Sequence, residues 1–139
     1  MANQDQVDYN VLKKLSKDRI REARILLANK KFSGAYYLAG YSIELALKAY
    51  YCKQMLFPPK DTEDLYCHNL EALLQSCGLK DMLSKDMKNN SDLGAKWGVI
   101  ARWSEQSRYK ITEGLIARDF LDAIDNKKCG ILIWIMKKL

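Results

Sequence analysis

Chain breakers are scarce here. The 139 residues include 2 prolines and 7 glycines, too few to punctuate a fold of many short strands, so long helices are expected. Histidine is scarcer still. His68 is the single one, and the only side chain that titrates near neutrality without help. Any serine or cysteine catalysis would have to use it as the base. No glycine-rich phosphate loop precedes a helix, and there is no Gly-x-Ser-x-Gly elbow or paired-histidine zinc motif. That removes the best-marked phosphate-loop, α/β-hydrolase and metalloprotease sites. The 4 cysteines, Cys52, Cys67, Cys77 and Cys129, include no Cys-x-x-Cys pair. One histidine without a close cysteine pair makes Cys67, His68 and Cys77 a poor zinc set, so no metal and no cofactor is expected. The start, Met1 to Gln6, is polar and lacks the apolar core of an export signal, which predicts reduced thiols in a cytoplasmic protein. The longest apolar run, Cys129 to Met136, is too short to span a bilayer.

What is present reads as one globular domain over residues 1–139. Hydrophobic residues make up 48% and charged ones 29%, an ordinary globular balance. A chain of this length buries roughly two thirds of its unfolded surface, enough for a core without staples. The formal net charge of +6 permits a polyanionic partner without demanding one.

Helical periodicity carries the chain in order. Leu12, Ile20, Ala23 and Leu27 share a face of a first helix, about Tyr9 to Ala28. Lys13, Lys17, Arg21 and Arg24 line another face as a basic stripe. Such runs usually face water, and Asp18 and Glu22 can offset this one; the sharper reading is a phosphate-contacting edge. A short turn at Asn29 to Lys31 makes the next helix an antiparallel neighbour. That helix is capped by Ser33, runs to about Met55, and is stopped by Phe57-Pro58-Pro59. After a connection over Lys60 to Cys67, a short third helix covers Asn69 to Cys77, with Gly78 at its C-terminal end. A weaker pattern runs from Leu79 to Met87. Ser91 or Asp92 can cap a further helix ending near Gln106, and Thr112 a last one continuing to the C-terminus. The second apolar side of that last helix, Leu132 and Met136, exceeds what one core needs and suggests a subunit interface, with Ile131 and Ile135 as its test positions. The expected architecture is all-α: an up-and-down antiparallel bundle of four to five helices with a short extra helix.

The second helix holds the candidate chemistry. It is apolar nearly all round, as a central helix is, yet it keeps Glu44 and Lys48 one turn apart. Tyr37, Gly40, Tyr41 and Tyr51 share their face. Exposed, the pair is worth a few tenths of a kcal/mol. Buried, it needs other groups to complete it, and His68, Arg108 and Tyr109 are the available ones.

The run Ala35 to Ala49, with its tyrosines and its Glu-x-x-x-Lys pair, resembles the second helix of HEPN domains. His68 followed by Leu70, Leu73 and Leu74 resembles that family's histidine-led third helix, and Ser107-Arg108-Tyr109 its Ser-Arg-Tyr element. The resemblance spans about Asp8 to Leu139. It implies a small helical bundle, usually dimeric. It also implies one of three roles: a module partnered with a minimal nucleotidyltransferase, a ribonuclease of toxin–antitoxin or defence systems, or a non-catalytic binder of nucleotides, RNA or protein. The ribonuclease members carry Arg-x(4–6)-His late in the chain. Here the only histidine precedes Arg102, Arg108 and Arg118. The reading is therefore a non-catalytic homodimer that binds nucleotide or RNA through Glu44, Lys48, Tyr41, His68, Arg108 and Tyr109, beside a nucleotidyltransferase partner. The alternatives are a metal-independent ribonuclease built around His68, Arg108 and Tyr109, and a purely protein-interaction domain.

Overall fold

The computed structural model describes residues 8–54 and 67–139; the expected Phe57-Pro58-Pro59 stop lies outside them. Among the described residues every regular element is helical. They are α1 (Tyr9–Ala28), α2 (Phe32–Gln54), α3 (Leu70–Ser76), α4 (Lys80–Asn89), α5 (Ser91–Ile100), a 3-10 segment (Glu105–Tyr109), α6 (Gly114–Asp125) and α7 (Ile131–Met136). No helix among them is long and apolar enough to cross a membrane.

α1 and α2 form the expected antiparallel pair. Gly34 lies against Leu26 near the turn, Ser16 donates its hydroxyl to the Ser42 carbonyl at 2.6 Å, and Leu12 clusters with Ala49 and Cys52 at the far end. Small residues make the close approach possible: Ser16, Ala23, Ala35, Ala39, Ala46 and Ala49 are all fully buried. α2 also touches α3, the 3-10 segment, α6 and α7, so it is the central helix. Around it the core collects Leu73, Leu74, Trp97, Ile100, Phe120, Leu121, Ile124 and Ile135.

Gly78 ends α3 as expected. Its φ of +86° is a conformation that suits glycine, and the Leu79 N–H reaches the Leu74 carbonyl at 3.2 Å to close a Schellman turn.

Several boundaries differ from the sequence reading. α2 begins at Phe32, so Ser33 is not its cap. Its hydroxyl instead accepts the Thr112 N–H at 2.8 Å, tying the entry of α6 to α2. α6 then starts at Gly114, with Glu113 rather than Thr112 in the cap position and no side-chain cap bond. Asn90, not Ser91 or Asp92, caps α5 by accepting the Leu93 N–H at 3.1 Å. α5 stops at Ile100, not near Gln106, because the chain turns there to seat Trp103 against Gly40. The last helix is broken in two. Asn126 accepts the N–H groups of Lys128 and Cys129, and the Gly130 N–H returns to the Asn126 carbonyl at 2.8 Å. A Cβ at Gly130 would lie 2.6 Å from Asn126 and Ile124 backbone atoms, which is why glycine stands there. The expected all-α bundle thus holds, its later part divided more finely than the periodicity indicates, with seven α-helices among the described residues. Ile131, Leu132 and Ile135 are buried in the chain's own core, so the apolar excess of the last helix no longer argues for a subunit interface.

Candidate functional site

The inner part of the site is built on α2. Glu44 and Lys48 face inward one turn apart, with Nζ 3.3 Å from Oε2 and side chains only 3% and 9% exposed. A buried carboxylate with one distant partner would be expensive. Its other oxygen is satisfied by His68, whose Nδ1 lies 2.7 Å from Oε1. His68 gets there because Asn69 caps α3, accepting the Ala72 N–H at 2.9 Å, while Leu70, Leu73 and Leu74 seat that helix on the core. The residue before the cap is thereby fixed against α2.

The outer part is the 3-10 segment. Trp103 anchors it: the indole occupies the notch left by Gly40, where an added Cβ would overlap the ring. From this anchor Glu105 reaches both neighbours. Its Oε2 is 3.3 Å from His68 Nε2, and its Oε1 accepts the Tyr41 hydroxyl at 3.3 Å. Tyr41 stands edge-on to both Trp103 and His68 and shares a 3.1 Å hydroxyl contact with Tyr37. Burial, then the Tyr37 hydroxyl and the charges of Glu105 and Glu44, push the Tyr41 phenol well above its usual range. It remains a donor at neutral pH.

The result is one polar chain, Lys48–Glu44–His68–Glu105, with Tyr41 and Tyr37 leaning on it. Each His68 ring nitrogen faces a carboxylate oxygen, Nδ1 that of Glu44 and Nε2 that of Glu105. Arg108 joins only at the edge, 3.6 Å from Glu105 Oε1. Its guanidinium packs 4.8 Å from the centre of the Tyr109 ring, and both side chains open to solvent.

The expected residues therefore separate. Glu44, Lys48, Tyr41 and His68 converge, Glu44 and Lys48 too deeply to touch a large ligand. Arg108 and Tyr109 stand outside, linked through Glu105. Glu105 and Trp103 were missed by sequence reasoning. Their only sequence signals were an acid three residues before an arginine and an aromatic matching an α2 glycine. The basic stripe on α1 is partly used up: Arg24 makes a bidentate pair with Asp125 of α6, and Lys13 lies 5.9 Å from the Tyr9 ring. Lys17 and Arg21 remain exposed. The thiol of Cys77 is buried, which pushes its pKa up, as an inert core cysteine's would be.

Comparison with known proteins gives one family. The family model for the HEPN domain matches residues 9–126, from the start of α1 to just past α6. No curated protein and no solved structure matches the chain. With the match running through α2, His68 and the 3-10 segment, the chain belongs to the HEPN domain family.

Proposed function

We propose that this HEPN domain is a non-catalytic, dimeric module that binds a nucleotide or RNA through the exposed side of its 3-10 segment. The observation that carries the reading is the outward-facing Arg108–Tyr109 pair. A π-face beside a planar cation is what single-strand binding uses, the ring for a base and the guanidinium for phosphate. Metal-free RNA cleavage needs a base for the 2′-hydroxyl and an acid for the leaving oxygen. The one histidine has both ring nitrogens facing carboxylates, Glu44 and Glu105, and the sequence offers no second histidine to complete an acid–base pair, which supports binding without cleavage. The net charge of +6 supports an anionic ligand.

Beside the pair, Ile111 is 96% exposed, and Leu115 and Ile116 are also open. This apolar surface supports a second copy as neighbour. The family's pairing with minimal nucleotidyltransferases, in toxin–antitoxin or defence-type systems, supports a partner of that kind.

Anisotropy titration of a labelled short RNA and a mononucleotide at two salt concentrations tests the reading. Saturable binding that weakens with salt and drops at least tenfold in Arg108→Ala/Tyr109→Ala is expected. Absence of saturable binding returns the domain to a protein-interaction role. RNA cleavage that disappears in His68→Ala makes it an enzyme.

A further inference from the structure

A small cavity of about 160 Å³ lies among α2, the 3-10 segment and the start of α6. It is distinct from the hollow beside His68; of the residues lining the two, only Ser104 is shared. Its charged residues are Arg102 and Lys110, and no carboxylate lines it. Neither cation makes an ion pair with another described residue. Hydroxyl groups come from Tyr36, Ser104, Ser107 and Thr112.

Ser107 is the most informative of these. It is 7% exposed, and its Oγ has no hydrogen-bond partner. Buried polar atoms in native proteins are nearly always satisfied, so the Ser107 hydroxyl, closed off in the free fold, would gain a partner if its side chain turned toward a ligand in the cavity its residue lines. Burial also raises the Tyr36 phenol above its usual range, so it keeps its proton and can donate.

We infer that this cavity binds a phosphoryl group, held by Arg102 and Lys110 and by the hydroxyl donors around Ser107. Two unpaired cations with several O–H donors and no competing carboxylate suit a compact, multiply charged oxyanion. Ser107 and Lys110, which line the cavity, bracket Arg108 and Tyr109 in sequence. The source of the phosphoryl group rests on the nucleotide or RNA reading; the cavity's chemistry does not.

Backbone amide NMR can follow inorganic phosphate, a nucleoside monophosphate and a short RNA in turn, each against chloride at matched ionic strength. Inorganic phosphate should give saturable shifts at Ser107, Lys110 and Thr112. Arg102→Met/Lys110→Met should abolish them. Ser107→Ala should weaken phosphate about tenfold without lowering the melting temperature, since the orphaned hydroxyl contributes nothing to the free fold. Phosphate shifts no larger than those from chloride, or unchanged phosphate affinity in the double variant, overturn the inference. Arg108→Ala/Tyr109→Ala separates the two readings: it should lose RNA while keeping inorganic phosphate. If RNA binds and phosphate does not, the cavity assignment falls and the binding face stands. If phosphate binds while RNA and mononucleotide do not, the cavity stands and the binding face falls.

Discussion

Two polar regions of this domain sit a few ångströms apart and obey different physics. The inner one, Lys48–Glu44–His68, is locked between helices, with Glu44 3% exposed and both its oxygens partnered. The outer one, Arg108–Tyr109, hangs on a 3-10 segment with one weak 3.6 Å link to Glu105. Charges in the first region are held by each other, and loss of one leaves the rest stranded. Charges in the second are solvated, so their loss hardly affects the fold and directly affects whatever docks there. On the proposed function, the Glu44–Lys48 pair holds the site and the residues downstream of Trp103 meet the ligand.

The sharpest way to break the contrast is Glu44→Ala. It strands Lys48 and releases His68, and a loss of about 3–5 kcal/mol in urea unfolding is expected. The double variant Glu44→Gln/Lys48→Met removes both charges and should recover much of that loss. A single variant as stable as wild type would mean the inner cluster holds nothing.

Gly40→Ala tests the joint between the regions. The added methyl overlaps the Trp103 indole, and overpacking at this depth is expected to cost about 1–3 kcal/mol. It should also unseat the 3-10 segment, so RNA affinity should fall although no ligand contact is touched. Crystallography or amide shifts confined to 103–109 would report the displacement.

A surface pair remote from both regions gives the smallest effect and a reference. The Lys96 hydrogen bond first, then Asn126, hold the Asp122 carboxyl below its usual range. With a folded pKa below the unfolded one of about 3.9, Asp122 contributes stability above that value. The contribution is lost as pH falls through the folded value. Asp122 is half exposed and screened by water, so Asp122→Asn should only slightly flatten the acid limb of the stability profile below about pH 4. A shift as large as that of Glu44→Ala would erase the distinction between buried and exposed charge on which the comparison rests.

Much of this was legible in the sequence, for reasons that can be named. α1 and α2 were readable because long amphipathic or all-apolar runs leave one periodicity to fit. The meeting of Glu44, Lys48 and His68 was readable as chemistry, since a buried pair needs completion and few residues could supply it. Glu105 was not, because one acid in a polar loop carries no periodicity and its partners are 37 and 64 residues away in sequence, at His68 and Tyr41. The break at Asn126–Gly130 was hidden because the apolar pattern resumes after it, and only the backbone crowding at Gly130 shows why the helix stops. The fate of Ile131, Leu132 and Ile135 was hidden too: how much apolar surface one core absorbs depends on how the helices close around it.

The most direct test of the division of labour is an amide NMR titration of the intact domain with a short RNA, compared with the same titration of Arg108→Ala/Tyr109→Ala. The expected result has shifts concentrated on residues 102–112. The variant should lose them while its urea-unfolding stability stays within about 0.5 kcal/mol of wild type. Shifts centred on Lys13, Lys17 and Arg21 of α1 and undiminished in the variant would contradict it and place the ligand on the basic stripe instead.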